Sequence, residues 1–239
     1  MKGTLFILGM GPGDPELVTK KAGRILNSLS LIAYFCKKGE MGHARQIATP
    51  FLIHDLTELR FEYPLTTEIP HYAPEYKETL ETFYDHCASK IQKKLDEGQD
   101  IGLLCEGDPL LYGSAIYILE RLQEQYTIEV IPGVMAMNGC WSRLHLPIVR
   151  NDQTLTILSA TLPLDKLLVK LNQCESIVIM KIGRNLAKVK TALKQTHLLE
   201  QATYIERGTQ NQERILPLSQ MQDEKAPYFS LILIAGKEN

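Results

Sequence analysis

The chain has 239 residues, of which 44% are hydrophobic and 23% are charged, values typical of a globular protein and unlike those of disordered or fibrous chains. Its 26 basic and 28 acidic side chains give a formal charge of −2, so no global positive field favours nucleic acid as a partner. The longest apolar stretches, such as residues 230–236, are too short to span a bilayer, and we expect no membrane partner.

Strand and helix signals alternate through the first half of the chain. Residues 4–8 form an apolar run that predicts a buried strand, and it breaks into Gly and Pro with no cleavage site, which excludes a signal peptide. Apolar residues at helical spacing over 18–29 predict a helix, and residues 31–35 predict a second strand. The clearest helix is the apolar stripe over 80–95, which stops at Gly98.

The same alternation continues up to residue 133. Residues 101–105 lack polar alternation, as expected for a strand covered on both faces. Ser114 is expected to cap the helix that follows, and residues 128–131 predict the next strand. A β-α-β alternation of this kind predicts a parallel sheet layered by helices.

The second half has a different pattern. Strands are predicted over 154–158, 177–180, 202–205 and 229–235, but only two clear helices, about 163–172 and 185–195, lie among them. Fewer crossovers predict a mixed sheet in a separate domain, because parallel neighbours need long connections. We place the boundary near residue 136, which agrees with the two domains that the length favours.

Cysteine and histidine usage favours a reduced protein without a metal site. The five cysteines are scattered, form no CxxC pair and mostly have apolar neighbours: Cys36, Cys87, Cys105, Cys140 and Cys174. We therefore expect packing residues in a cytoplasmic protein. The six histidines have no metal-ligand spacing, so no metal site is expected.

The first motif is GMGPGDP, residues 9–15, directly after the first predicted strand. Its glycines permit a sharp turn and close approach to a ligand. A dinucleotide fingerprint would have a third glycine where Asp14 stands, and an acidic residue where Cys36 is followed by Lys37 and Lys38. Because two prolines also remove N–H donors, the motif is a weak nicotinamide signature or merely a tight turn.

Two further motifs also follow predicted strands. CEGDPLLYGS spans residues 105–114, and PGVMAMNG spans residues 132–139. Ligands of open α/β sheets bind outside the carboxyl ends of the strands, which is where these motifs are expected. The two carboxylates of Glu106 and Asp108 indicate a functional loop, although Asp108 could instead only cap a helix N-terminus.

In order, spacing and placement, the three motifs resemble the tetrapyrrole methylases, the class III S-adenosylmethionine-dependent methyltransferases. Residues 179–183 and 206–209 resemble signatures of the family's second domain, so the resemblance covers the whole chain. It implies an α/β fold of two subdomains, residues 1–136 and 137–239. The first would have a five-stranded parallel sheet with helices and the second a mixed sheet, with the active site in the cleft between them.

Within the family, LLCEGDPLLYGS at residues 103–114 most resembles the branch that methylates C20 of precorrin-2 in cobalamin biosynthesis. Residues 180–184 and 226–231 add to that likeness. The resemblance implies S-adenosyl-L-methionine as cofactor, S-adenosyl-L-homocysteine as product and a small-molecule tetrapyrrole substrate, precorrin-2 or cobalt-factor II. The residues implied to contact the cofactor are Pro12, Gly107, Asp108, Leu111, Met135, Ala136, Met180 and Gly208.

The expected reaction needs no activated side chain for the attack, because the reduced macrocycle is itself a carbon nucleophile. Correct orientation of the two reactants then lowers much of the barrier. A base is needed only after attack, and the candidates near the motif are Glu106, Asp108 and Tyr112, with water as an alternative. The substrate carries several carboxylates, so basic residues should bind it. The candidates are Lys37, Lys38, Arg45, Arg143 and Arg150.

Other interpretations remain open from the sequence. One is methylation of another tetrapyrrole position, as in uroporphyrinogen III or a later precorrin, or of a macromolecule such as rRNA or a diphthamide precursor. A second is an NADP-dependent oxidoreductase with Lys37 and Lys38 on the 2′-phosphate, and a third is a ligand carrier. The family resemblance also implies a homodimer.

Overall fold

A computed structural model describes residues 1–53, 55–65 and 74–236. The chain divides into two compact units, one ending at Ala136 and the other beginning at Met137. None of the helices in the described ranges is long and apolar enough to cross a membrane.

The first unit is built on a five-stranded sheet in which every neighbouring pair is parallel. In chain order its strands are β1 (Leu5–Gly9), β2 (Leu31–Cys36), β3 (Thr57–Glu62), β4 (Ile101–Cys105) and β5 (Ile128–Ile131). Their spatial order is β3-β2-β4-β1-β5. The predicted parallel N-terminal sheet is therefore confirmed.

Helices cover both faces of this sheet. They are α1 (Lys20–Leu26), α2 (His43–Ala48), α3 (Pro74–Asp96) and α4 (Ala115–Leu122). Successive strand residues point to opposite faces, so Leu5 and Ile7 pack in the core beneath α3 and α4. Leu8, in contrast, packs in the core beneath α1 and α2. Burial on both faces explains why β1 and β4 have no polar alternation.

The sequence analysis missed β3 and α2. The β3 sequence TELRFE is mostly polar and has one buried residue, Phe61, because the strand lies at the sheet edge. The predicted cap at Ser114 is wrong in its contact, since the hydroxyl makes no capping bond at the start of α4. It forms hydrogen bonds with the hydroxyls of Tyr63 and Tyr84 instead.

The second unit contains a mixed five-stranded sheet, as predicted. Its strands are β6 (Leu155–Ser159), β7 (Ser176–Met180), β8 (Thr203–Glu206), β9 (Arg214–Pro217) and β10 (Ser230–Ile234), in the order β6-β7-β10-β8-β9. β6 and β7 are parallel, whereas β10 is antiparallel to both β7 and β8. The carboxyl ends of β6, β7 and β8 therefore lie on the same edge of the sheet.

Three helices belong to this part of the chain: α5 (Ala136–Ser142), α6 (Leu164–Leu171) and α7 (Leu186–Gln195). α6 and α7 pack on one face of the sheet around Leu158, Ile179 and Ile232. The sequence analysis missed α5, and it missed β9 because that edge strand has no buried residue. All five cysteines are free and four are buried, as packing residues would be.

Candidate functional site

Three loops meet at the carboxyl edge of the first sheet, following β1, β4 and β5. The loops after β1 and β4 are joined by two backbone hydrogen bonds. The Gly107 N–H donates to the Gly11 oxygen at 2.8 Å, and the Gly11 N–H donates to the Gly107 oxygen at 3.3 Å. The predicted motif placement at strand ends is therefore correct, and the motifs contact one another directly.

Close approach of backbone atoms explains the glycines in these loops. A Cβ on Gly133 would overlap the Gly107 carbonyl oxygen, and one on Gly9 would lie 2.5 Å from the Gly133 nitrogen. Gly107 itself has space around its Cα but adopts φ +61°, which L side chains rarely do. Glycine is thus required at Gly9 and Gly133 by contact and at Gly107 by conformation.

The carboxylate of Asp108 joins the loop after β4 to the loop after β5. Its Oδ1 accepts the Leu110 N–H at 2.9 Å within the loop, and its Oδ2 accepts the Gly133 N–H at 3.2 Å from the other loop. The helix that follows begins only at Ala115, so Asp108 does not cap its N-terminus. Both oxygens are engaged by backbone donors, which makes Asp108 an organiser of the edge.

Glu106 differs from Asp108 two positions away. It is half-buried, and none of the described residues gives its carboxylate a hydrogen bond or an ion pair. Burial raises the pKa of Glu106 from its usual value to about 7. A half-protonated carboxyl group near neutral pH can accept or release a proton.

The remaining predicted residues of the first unit lie beside these loops. Pro12 is buried directly after Gly11. Leu111 is half-buried in a turn in which its N–H donates to the backbone carbonyl oxygen of Asp108. The Ala136 nitrogen and the Met135 Cα lie 3.5 and 4.0 Å from the Cβ position of Gly107. The edge therefore brings together all six cofactor residues predicted for this unit. Tyr112, a predicted catalytic candidate in the loop after β4, is 44% exposed and has φ +57°.

In the second unit, Met180 and Gly208 lie on a common sheet edge. Met180 ends β7, and its carbonyl accepts the Ala160 N–H at 2.8 Å. Gly208 follows β8 and is buried against the Cys140 sulfur, which a Cβ would overlap. Burial raises the pKa of the Cys140 thiol to about 12, so this cysteine acts as packing.

Strained backbone flanks both of these positions. Lys181 has φ +59°, Arg207 has φ +51° and Thr209 has φ +66°. Left-handed conformations cost energy in residues other than glycine and concentrate at functional sites. The sequence analysis included these residues in the segments 179–183 and 206–209 but assigned them no role, because no sequence signal marks a left-handed conformation in Lys, Arg or Thr. The buried Thr209 Oγ1 also has no partner within the described ranges.

The predicted substrate-binding cations are divided between the units: Lys37, Lys38 and Arg45 belong to the first, and Arg143 and Arg150 to the second. Lys37 and Lys38 are exposed after β2, at the carboxyl edge of the first sheet. Arg45 is held by Glu58, with 2.7 Å between Nε and Oε1, and Arg143 is held by Glu213, with 2.9 Å between Nε and Oε1. The Arg150 N–H donates to the Gln153 side chain. Of the predicted cations in the first unit, Lys37 and Lys38 follow a strand at the same carboxyl edge as the three loops, and none of the described residues forms an ion pair with them.

The charges within the three loops suit a cationic ligand better than a phosphate. Asp14, Glu106 and Asp108 lie in the loops, and no lysine or arginine in the described part of the chain pairs with them. A sulfonium or ammonium group next to these carboxylates gains favourable electrostatic energy, whereas a dinucleotide phosphate is repelled. Within the described ranges, no group of three His, Cys, Asp or Glu side chains could hold a metal ion.

Comparison with known proteins gives consistent matches over the whole chain. Residues 4–222 match the family model of the tetrapyrrole (corrin/porphyrin) methylases. A precorrin-2 C(20)-methyltransferase from Sinorhizobium sp is 43% identical, with 98% of this chain and 96% of that protein covered. A cobalt-precorrin-2 C(20)-methyltransferase from Salmonella typhimurium is 30% identical, with 98% and 97% covered.

Solved structures show the same fold. A cobalt precorrin-4 methyltransferase superposes with a TM-score of 0.73 at 19% identity, covering 97% of this chain and 94% of that one. A uroporphyrin-III C-methyl transferase from Thermus thermophilus, complexed with S-adenosylhomocysteine, gives a TM-score of 0.66 at 19% identity, covering 98% and 92%.

Proposed function

The chain belongs to the tetrapyrrole methylase family, and from that premise we propose that it transfers the methyl group of S-adenosyl-L-methionine to C20 of precorrin-2 or its cobalt form in cobalamin biosynthesis. The observation that carries the proposal is the 43% identity to a C20 methyltransferase over nearly the full length of both chains. Family membership counts against the oxidoreductase hypothesis, and the two C20-specific relatives count against methylation elsewhere on the ring.

We propose that the cofactor binds through the loops of the first unit and through two positions of the second. The supporting geometry is the set of linked loops after β1, β4 and β5, whose carboxylates form no ion pair with a lysine or arginine among the described residues. The proposed contacts are Pro12, Gly107, Asp108, Leu111, Met135, Ala136, Met180 and Gly208. The two compact units would then be the two subdomains of the family.

When bound, S-adenosyl-L-methionine supplies an electrophilic methyl group on a sulfonium, which the C20 carbon attacks. C20 must afterwards lose its proton, and we propose Glu106 as the acceptor. Its carboxylate has no donor among the described residues and has a pKa of about 7, whereas both oxygens of Asp108 are occupied by backbone N–H groups. Tyr112 is the less favoured candidate because a neutral phenol hydroxyl is a weaker proton acceptor than a carboxylate.

For substrate carboxylates, the geometry supports Lys37, and with it Lys38, more than the arginines. Arg45 and Arg143 already have carboxylate partners, so binding substrate would require breaking an ion pair. We further propose a homodimer in the cytoplasm. The family resemblance supports the homodimer, and the free cysteines support a reducing compartment.

The test combines binding and turnover. Calorimetric titration of the purified protein should show tight binding of S-adenosylhomocysteine and none of NADPH. Incubation with S-adenosylmethionine and either precorrin-2 or its cobalt form should add one methyl group by mass spectrometry, with NMR placing it on C20. Binding of NADPH without binding of S-adenosylhomocysteine would contradict the proposal, and binding without turnover would indicate a carrier. Comparing the two substrates shows whether the metal-free or the cobalt form is preferred.

A further inference from the structure

Arg207 occupies an unusual position at the carboxyl edge of the second sheet. It is the first residue after β8, has φ +51° and precedes Gly208. Its Nη1 donates a hydrogen bond to Oε1 of Glu206, the neighbouring residue. A left-handed arginine whose side chain folds back onto an adjacent carboxylate is held in one geometry at an energetic cost.

Glu206 provides the anchor for this geometry. It is only 8% exposed, and burying a carboxylate is costly unless it is fully hydrogen-bonded. Tyr204 donates its hydroxyl to Oε2 at 2.9 Å, and the Nη1 of Arg214 lies 3.9 Å from the same oxygen. The carboxylate therefore has partners on both oxygens, and its contact with Arg207 is held in place by a buried, hydrogen-bonded group.

The two arginines beside Glu206 differ in how many guanidinium N–H donors remain available to a ligand. Arg214 is also bound to Asp223, with 2.9 Å between Nη1 and Oδ2. Arg207 makes its one side-chain hydrogen bond to Glu206, and its other N–H groups have no acceptor within the described residues. With 36% of its side chain exposed, Arg207 presents an oriented guanidinium that can still bind a carboxylate in a bidentate manner.

The surroundings of Arg207 suit a macrocyclic ligand. The Arg207 N–H donates to the Phe229 carbonyl at 2.8 Å, which fixes the residue beside the segment that precedes β10. In that segment Tyr228 is 76% exposed, and its ring packs edge-on against Phe229 at 4.9 Å. An arginine, an exposed aromatic ring and the proposed cofactor residue Gly208 thus lie at adjacent positions of one edge.

We propose that Arg207 binds a peripheral carboxylate of the tetrapyrrole substrate, and that Glu206 is the positioning residue that orients its guanidinium. The inference rests on the proposed function and adds a substrate contact to it. Preorganisation by a buried carboxylate reduces the entropy that an arginine loses on binding, which accounts for the strain kept at this position. Arg214, which shares Glu206, is the matched control because it already has a second carboxylate partner.

The test compares Arg207→Gln with Arg214→Gln. Loss of a charge-assisted hydrogen bond should raise KM for precorrin-2 by about 10- to 100-fold in Arg207→Gln. In the same variant, kcat and the affinity for S-adenosylhomocysteine should change less than threefold. In Arg214→Gln, both KM and kcat should change less than threefold. Glu206→Gln keeps the cation but weakens its anchor, so we expect an intermediate rise in KM. Arg207→Lys should recover part of the affinity that Arg207→Gln loses.

A measurement on the unmodified protein guards against misfolding of the variants. Phenylglyoxal modifies accessible guanidinium groups, and peptide mass spectrometry can follow Arg207 directly. Precorrin-2 should slow modification of Arg207, whereas S-adenosylhomocysteine alone should not. Equal KM changes in the two arginine variants, or no protection by precorrin-2, would overturn the inference. So would a loss of S-adenosylhomocysteine affinity at constant KM, since it would assign Arg207 to the cofactor carboxylate. Absence of turnover by the wild type would instead contradict the proposed function.

Discussion

The two units shape their sheet edges in different ways. In the first unit most left-handed positions of the edge loops are glycines, with φ values of +72° at Gly11, +146° at Gly13 and +61° at Gly107, and Tyr112 is an exception at +57°. In the second unit, the corresponding left-handed positions after β7 and β8 are Lys181 and Arg207. Glycine adopts such conformations without a steric penalty, whereas other residues pay roughly 1–2 kcal/mol each.

This difference determines what holds each edge together. The first edge relies on backbone contacts, such as the paired hydrogen bonds between Gly11 and Gly107. The second edge relies on side chains: Glu206 holds Arg207, and Glu213 accepts the Thr209 N–H at 2.8 Å. Substitutions that add atoms should therefore be most harmful in the first unit, while side-chain removal should matter more in the second.

The largest effect is expected for Gly133→Ala, because the new Cβ would overlap the Gly107 oxygen and press against Gly9. We expect a destabilisation of about 3 kcal/mol from overpacking, measured by urea unfolding, and at least about a 100-fold loss of S-adenosylhomocysteine affinity. Gly39→Ala is the control, since Gly39, unlike Gly133, is left-handed but has open space around it. It should cost about 1 kcal/mol and leave binding intact. Similar results for both variants would mean that contact between the loops is unimportant.

Glu106→Gln tests whether the proton acceptor lies in the first unit. We expect kcat to fall about 100-fold, the effect of losing a general base. In the wild type, kcat should rise with pH to a plateau above about 7, where the carboxylate is ionised. The glutamine variant should lack this rise. A wild-type profile that persists in Glu106→Gln would exclude Glu106 as the base.

Stability measurements provide an independent check on Glu106. Its folded-state pKa is raised from 4.5 to about 7, so between these values the folded protein binds more protons than the unfolded chain. The wild-type free energy of unfolding, relative to that of Glu106→Gln, should therefore be highest below pH 4.5 and decline up to about pH 7. Urea titrations of both proteins across this range measure the difference.

In the second unit, Gly208→Ala should cost about 2 kcal/mol because its Cβ would overlap the Cys140 sulfur. This overlap is with a side chain, so Cys140→Ala should make room for it. We expect the double variant to recover more than half of the loss, a non-additivity measurable by a double-mutant cycle. Strict additivity would show that backbone conformation, and not the sulfur, requires glycine there.

The smallest effect is expected for Asp108→Asn. An amide can accept one of the two N–H groups that the carboxylate accepts, but its NH₂ group cannot replace the other acceptor. We expect about 1 kcal/mol of destabilisation and about a tenfold loss of S-adenosylhomocysteine affinity. Asp14→Asn is the control, because Asp14 caps only the Glu16 N–H and asparagine caps equally well. Unchanged affinity in Asp108→Asn would show that the loop is a simple turn with no role in cofactor binding.

Periodicity predicted the buried strands of both units and the longer helices, because β1, β4 and α3 have strong patterns. It missed β3 and β9, two edge strands in which partial exposure removes the apolar signal. The sequence predicted the site at the loops whose glycine and proline residues form recognisable motifs. Arg207 and Thr209 lie in the motif segment 206–209 but were given no role, because their left-handed conformations have no sequence signal.

The two carboxylates of Glu106 and Asp108 show what the sequence alone could not determine. The spacing of the motifs by itself determined the family, the fold class and the edge at which the loops lie, because the residue types of each motif and its position after a predicted strand can be read along the chain. Only the tertiary structure distinguished the two carboxylates, since their surroundings come from loops far apart in the chain: Asp108 is bound by Gly133, and Glu106 is left without a donor. Likewise, the excess of acidic over basic residues said nothing about which cations are available. Folding paired Arg45 with Glu58 and Arg143 with Glu213, and left donors of Arg207 open.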